Sequence, residues 1–198
     1  MIYLKNLCSL SACCVLFALV FLNAEPSPPM EFIRTFDASS EEPVWTAQND
    51  GVMGGVSSGK AEVHNGKLHF SGVLSLENNG GFAQIYSETV VSDLSNFSAV
   101  KLRVKGDGRT YQFRMATDAR FRGSQIAYRA EFKTEADVWI EVSIPFEAFV
   151  PSFRGRQLKG PPIDLTSVQR IAFLLNDGNQ GPFSLEVDWI GLEKGVRS

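Results

Sequence analysis

The chain has 198 residues, 44% of them hydrophobic, and a net charge of −3. That length suffices for one domain with a sizeable core, and the mildly acidic balance excludes nucleic acid as a main partner, since nucleic acid needs a clustered positive field. All three cysteines (Cys8, Cys13 and Cys14) lie near the N-terminus, so the remainder offers no disulfide, thiolate nucleophile or cysteine metal site.

Residues 1–24 have the layout of a secretory signal peptide: Lys5 is the only charge, residues 12–22 are continuously apolar, and Ala24 follows as a small residue at the cut. The expectation is an exported protein, periplasmic or secreted, with a leader left uncleaved as a membrane anchor as the alternative. Residues 25–30 read as a Pro-rich spacer, 31–194 as a single β-sandwich domain and 195–198 as a frayed tail.

Residues 49–60 (NDGVMGGVSSGK) crowd Gly51, Gly54, Gly55 and Gly59 around Val52, Met53 and Val56. Glycine at that density marks a loop of demanding shape. The three apolar side chains call for burial, with Met53 filling one end of the core, or else for a binding surface.

From there period two dominates. Leu68, Phe70, Gly72 and Leu74 alternate with polar neighbours, as do Val100, Leu102 and Val104; Tyr111, Phe113 and Met115; Val138, Ile140, Val142 and Ile144; Ile171, Phe173 and Leu175; and Phe183, Leu185, Val187 and Trp189. Each is a strand with one buried and one wetter face. Asn65-Gly66 is a tight hairpin signal, because both central residues of that turn need positive φ. Gly-rich loops at 105–109 and 177–182 join two further pairs, and no window carries a helical stripe. The predicted fold is all-β, an antiparallel sandwich of jelly-roll type.

Several chemical readings fail on inspection. Gly54, Gly59 and Lys60 nearly spell a phosphate-binding loop, but Ala61 replaces the hydroxyl that would hold magnesium and a strand replaces the helix, which excludes a nucleotide. His64 and His69 flank a turn with only Glu62 as a third metal ligand, so they read as a polar strand face and no metal site is assigned. No acid, base and nucleophile converge, so no catalytic residue is assigned and no enzyme is expected. No cofactor is expected beyond a structural calcium that Asn49, Asp50 and Asp188 would hold through loop oxygens.

Two arginine sets remain. Arg103, Arg114 and Arg129 project from the polar faces of strands, with Arg120 and Arg122 between them; Glu131 and Glu141 balance them if that face is merely solvated. Residues 153–156 set Arg154 and Arg156 beside Phe153 in an exposed turn, the composition of an interface hot spot.

Taken together, residues 49–59 (NDGVMGGVSSG), 72–82 (GVLSLENNGGF), 102–112 (LRVKGDGRTYQ), 139–149, 153–156 and 181–190 (GPFSLEVDWI) resemble the complex I intermediate-associated protein 30 family. The resemblance implies a galactose-binding-like β-sandwich. Mitochondrial members are assembly chaperones for respiratory complex I, which implies a protein partner or assembly intermediate. The candidate rim for it comprises Asn49, Asp50, Met53, Gly54, Gly55, Asn78, Asn79, Phe153, Arg154 and Arg156. The alternative is a carbohydrate-binding module with a site on the sheet face at Arg103, Arg114 and Trp139.

Overall fold

The computed structural model describes residues 30–36, 44–87 and 93–194. The expected leader, most of the spacer and the tail at 195–198 lie outside them. Fifteen strands run through the described residues, and every pairing between them is antiparallel. They are β1 (Met30–Thr35), β2 (Trp45–Asn49), β3 (Ser58–His64), β4 (Lys67–Leu74), β5 (Ala83–Ser87), β6 (Phe97–Lys105), β7 (Thr110–Ala116) and β8 (Arg120–Phe121). The series continues with β9 (Ser124–Gln125), β10 (Ala127–Lys133), β11 (Trp139–Pro145), β12 (Val150–Phe153), β13 (Arg156–Gln157), β14 (Arg170–Leu175) and β15 (Gly181–Lys194).

Two layers form. One sheet has the order β11-β6-β15-β4-β3, with β1 also on β15; the other runs β13-β12-β10-β7-β14-β5-β2. β15 spans 14 residues and organises the first layer. Along one edge it pairs with β6; along the other, its first half pairs with β4 and its second half with β1. The ladder with β6 shifts register between Val187 and Trp189, which sets Asp188 outward against Arg103.

Alternation sends every second residue into one core. Leu68, Phe70, Leu102, Val104, Leu185 and Val187 from the first layer meet Ile85, Tyr111, Phe113, Phe132, Ile171 and Phe173 from the second, all buried. Phe70 lies edge-on to Tyr111 across the layers at 6.4 Å between ring centres. The Asn65-Gly66 hairpin forms as its sequence requires, with φ of 53° and 70°. The all-β sandwich read from periodicity is the observed architecture. No described helix is long and apolar enough to cross a membrane.

At one end of the sandwich the loop of residues 50–57 inverts its expected polarity. Asp50 is fully buried, while Val52, Met53 and Val56 are 68%, 60% and 54% exposed. Met53 therefore does not fill the core. The cause is a set of backbone donors that the carboxylate satisfies. Asp50 accepts from the Ser57 N–H (2.9 Å), the Ser57 hydroxyl (2.6 Å), the Gly81 N–H (2.7 Å) and the Phe82 N–H (3.3 Å). A charged acceptor serving donors from two loops stabilises both, and the apolar residues between are left on the outside.

Candidate groove on the seven-stranded sheet

Because Tyr111, Phe113 and Met115 point into the core, Gln112 and Arg114 point out, and the ladders set their neighbours in rows across the sheet. One row is Gln48, Gln84, Leu174, Gln112 and Glu131, on β2, β5, β14, β7 and β10. In the next row Arg114 stands opposite Arg129. Above these rows lies a groove of about 630 Å³, flanked by Val52, Met53 and Phe82 on one side and by Arg154 and Gly155 on the other. Its floor is deep for an outward sheet face: Gln112 and Leu174 are buried.

Hydrogen bonds fix that floor. Gln84 donates to Gln48 (3.1 Å), and Arg114 donates to Gln84 (3.0 Å) and to the Ser152 hydroxyl (3.1 Å). Gln112 donates to Asn176 (2.9 Å). Arg129 pairs with Glu131 at 2.9 Å. The Nε atoms of both Arg114 and Arg129 are buried with no partner among the described residues. Burial, with the Arg129 charge beside it, pushes the Arg114 guanidinium down to about 10. Like charges directly opposite on paired strands are destabilising. The arrangement is an amide and guanidinium floor, held by hydrogen bonds, with an aliphatic and aromatic wall.

The expected rim residues separate into two groups. Met53 and Arg154 line the groove. Arg154 and Gly155 hold φ of 47° and 77° at the tip of the β12–β13 hairpin, whose base rests through Phe153 on Phe121 at 5.5 Å. Phe153 is thus a prop for the turn, and Arg156 is exposed on β13 outside the groove. Asn49 turns inward and donates to the Gly59 carbonyl, 3.0 Å away. Gly55 packs against Asp50 so closely that a Cβ there would lie 2.4 Å from its Cγ, whereas Gly54 has open space and φ of 93°. Asn78 and Asn79 hold φ of 54° and 59° in an exposed turn away from the groove.

The alternative set of Arg103, Arg114 and Trp139 does not converge. Arg103 and Trp139 lie on the outer face of the six-stranded layer, where Lys67, Arg103 and Lys105 surround the indole at 5.6–5.9 Å; Arg114 is on the opposite layer. Period two shows that a residue faces outward and is silent about which layer carries it. The calcium set also fails to assemble. Four donors occupy Asp50, Asp188 is paired with Arg103 at 3.4 Å, and no cluster of three metal-ligating side chains exists among the described residues. His64 and His69 stack ring on ring at 3.7 Å on β3 and β4.

Sequence reasoning missed Gln48, Gln84, Gln112, Leu174, Asn176 and Phe82. The signal available was glutamine on three strands, two of them (Gln84 and Gln112) between core positions, where charged residues would be the ordinary solvent-facing choice.

Residues 34–187 match the family model described as Complex I intermediate-associated protein 30. A Mus musculus protein of that name, designated mitochondrial, is 38% identical over 104 residues, 50% of this chain and 31% of its own length. Its Drosophila melanogaster counterpart is 31% identical over 106 residues, 51% of this chain and 36% of its own. The chain thus spans about a third of the curated relatives it matches. Among solved structures, the family 11 carbohydrate-binding module of a Clostridium thermocellum cellulase superposes with a TM-score of 0.64 at 16% identity, covering 87% of this chain and 99% of the module. A family 30 carbohydrate-binding module gives 0.53 at 15%, covering 84% and 99%. At such identities the likeness is one of fold, and it confirms the galactose-binding-like class.

The relatives also correct one expectation. They are named as mitochondrial proteins, which overturns the assignment to a periplasmic or secreted location. An apolar run behind one lysine measures affinity for a hydrophobic environment; it does not by itself specify an address.

Proposed function

Because its residues 34–187 match the family model, the chain belongs to the complex I intermediate-associated protein 30 family, and from that premise we propose that it is a non-catalytic docking module in complex I assembly. Its partner is a protein, an assembly intermediate, held in the groove on the seven-stranded sheet. The observation that carries this reading is the juxtaposition of exposed Val52 and Met53 with Arg114, Arg129 and Arg154 around one cavity. Solvent-facing aliphatic side chains beside guanidinium groups are the composition of interface centres. The names of the family's curated relatives support the same direction.

The fold neighbours and the amides of Gln48, Gln84, Gln112 and Asn176 favour a second reading, carbohydrate binding. Its weakness is the wall. A neutral sugar ring presents C–H faces suited to an open aromatic platform, whereas Val52, Met53 and Leu174 carry no ring, Phe82 at the groove is half-buried, and the Tyr86 ring is covered by Arg170 at 4.7 Å.

A photo-reactive residue at Val52, with a control at Lys60 on the other layer, tests the proposal in cells that assemble complex I. Adducts to a subunit or assembly intermediate from position 52 alone support it. Equal capture from both positions, or none from 52, refutes it.

A further inference from the structure

Resting on that docking reading, we infer that the occupant of the groove is an extended polypeptide segment with an apolar side chain at one end and acidic side chains at the other. The groove has two unlike ends. Val52 and Met53 follow β2 directly and, with Phe82, form an aliphatic and aromatic wall beside the β2–β5 edge. At the far side Arg114 on β7, Arg129 on β10 and Arg154 on the β12–β13 turn converge.

Charge defines the second end. Among the described residues, Glu131, which pairs with Arg129, is the one carboxylate bonded to any of these three guanidinium groups. Arg114 and Arg129 stand opposite each other in the ladder, each with a buried Nε that has no partner among the described residues. Two cations so placed repel, and an anion seated over them removes the repulsion. Planar forked donors match carboxylates.

Length fits a short peptide. The floor from Gln48 on β2 to Arg129 on β10 crosses five paired strands; at the usual spacing of about 4.8 Å that is roughly 19 Å. An extended chain covers that distance in about six residues. Backbone amides along it would meet the side-chain amides of Gln48, Gln84 and Gln112.

The test is fluorescence anisotropy of the full chain with eight-residue peptides bearing a neutral fluorophore. One end is leucine or serine; the other is Glu–Glu, Gln–Gln or Lys–Lys. The Glu–Glu peptide with leucine should bind at least about tenfold tighter than its Gln–Gln form, the worth of one charge-assisted contact. Raising salt from about 0.05 M to about 0.5 M should weaken only the acidic peptides. Arg154→Asn, which keeps a residue suited to positive φ, should narrow the Glu-to-Gln ratio to about threefold. Met53→Ser should remove the preference for leucine and leave the acidic preference unchanged.

Equal binding of Glu–Glu and Gln–Gln forms overturns the inference, as does absence of binding by every peptide. Displacement by an acidic oligosaccharide but by no peptide overturns it too. If position 52 still captures a protein in cells while acidity has no effect, the docking reading stands and only the ligand chemistry is wrong. If position 52 captures nothing, the docking reading itself fails.

Discussion

Replacing Asp50 separates a structural loop from a binding loop. Its carboxylate serves three backbone N–H groups, those of Ser57, Gly81 and Phe82, at 2.7–3.3 Å, besides the Ser57 hydroxyl. In Asp50→Ala the hydroxyl can turn wholly to the Ser75 carbonyl, already 3.1 Å away, but the three N–H groups lose their acceptor. At about 1–2 kcal/mol for each unpaired donor, the loss is about 3–6 kcal/mol, a large part of a typical domain's stability. Asp50→Asn is the sharper probe. The amide keeps one acceptor oxygen but sets an NH₂ against N–H donors, for a loss of about 2–3 kcal/mol. Urea unfolding followed by tryptophan fluorescence should show the Asn variant's midpoint lowered by about 1–2 M. A midpoint shift under about 0.3 M would refute the argument, since the carboxylate would then contribute nothing that an amide does not.

Other outcomes follow from the same contacts. Gly55→Ala should destabilise nearly as much as losing Asp50, because its Cβ would lie 2.4 Å from the Asp50 Cγ. Gly54→Ala should lose only about 1 kcal/mol, from its φ of 93° in open space; comparable midpoints for the two would contradict this. Met53→Ser should keep the parent's melting temperature, since Met53 is exposed, and weaken capture of the partner by a photo-reactive residue at position 52. Acid should act late. Burial raises the Asp50 carboxyl, but bonds from Ser57, Gly81 and Phe82 outweigh it and hold the group below its usual range. Asp177, likewise raised by burial, is held down to about 2 by Arg109 and Asn179. Depressed carboxylates stabilise the fold fully above the ordinary value of about 4, and the contribution is lost as pH falls through the lowered ones. His69, which burial and the neighbouring His64 hold below its ordinary value, adds a shallow decline as pH falls through about 6.5, where the unfolded imidazole gains its proton. The steep fall in urea midpoints should come only below about pH 4, and a steep fall beginning at about pH 6 would contradict the assignment.

Periodicity exposed the strands whose core positions are large. Tyr111, Phe113 and Met115, or Ile171, Phe173 and Leu175, alternate too plainly for another reading, and Asn65-Gly66 named its own turn. β5 escaped because two of its buried positions are Ala83 and Ser87, small and weakly apolar. Layer membership was not legible either, which is why Arg103 and Arg114 were paired although they face opposite solvents. The loop at 50–57 misled for a definite reason. Hydrophobicity argued that Val52 and Met53 would be covered, whereas unpaired N–H groups on a second loop, thirty residues on, drew the carboxylate inside. That loop also supplied one wall of the groove, so the site was half visible as composition and invisible as geometry.

The central position of β15 bears on how the domain is made. In a chain synthesised from its N-terminus, β4 and β6 exist first and have no common neighbour until the last of the fifteen strands arrives. Their apolar faces and open edges must wait through the production of everything between. Such non-local pairing folds slowly and exposes sticky surfaces in the interval. A family whose curated relatives are named as associated with a complex I intermediate thus has, in this member, a layer that stays incomplete until β15 is in place.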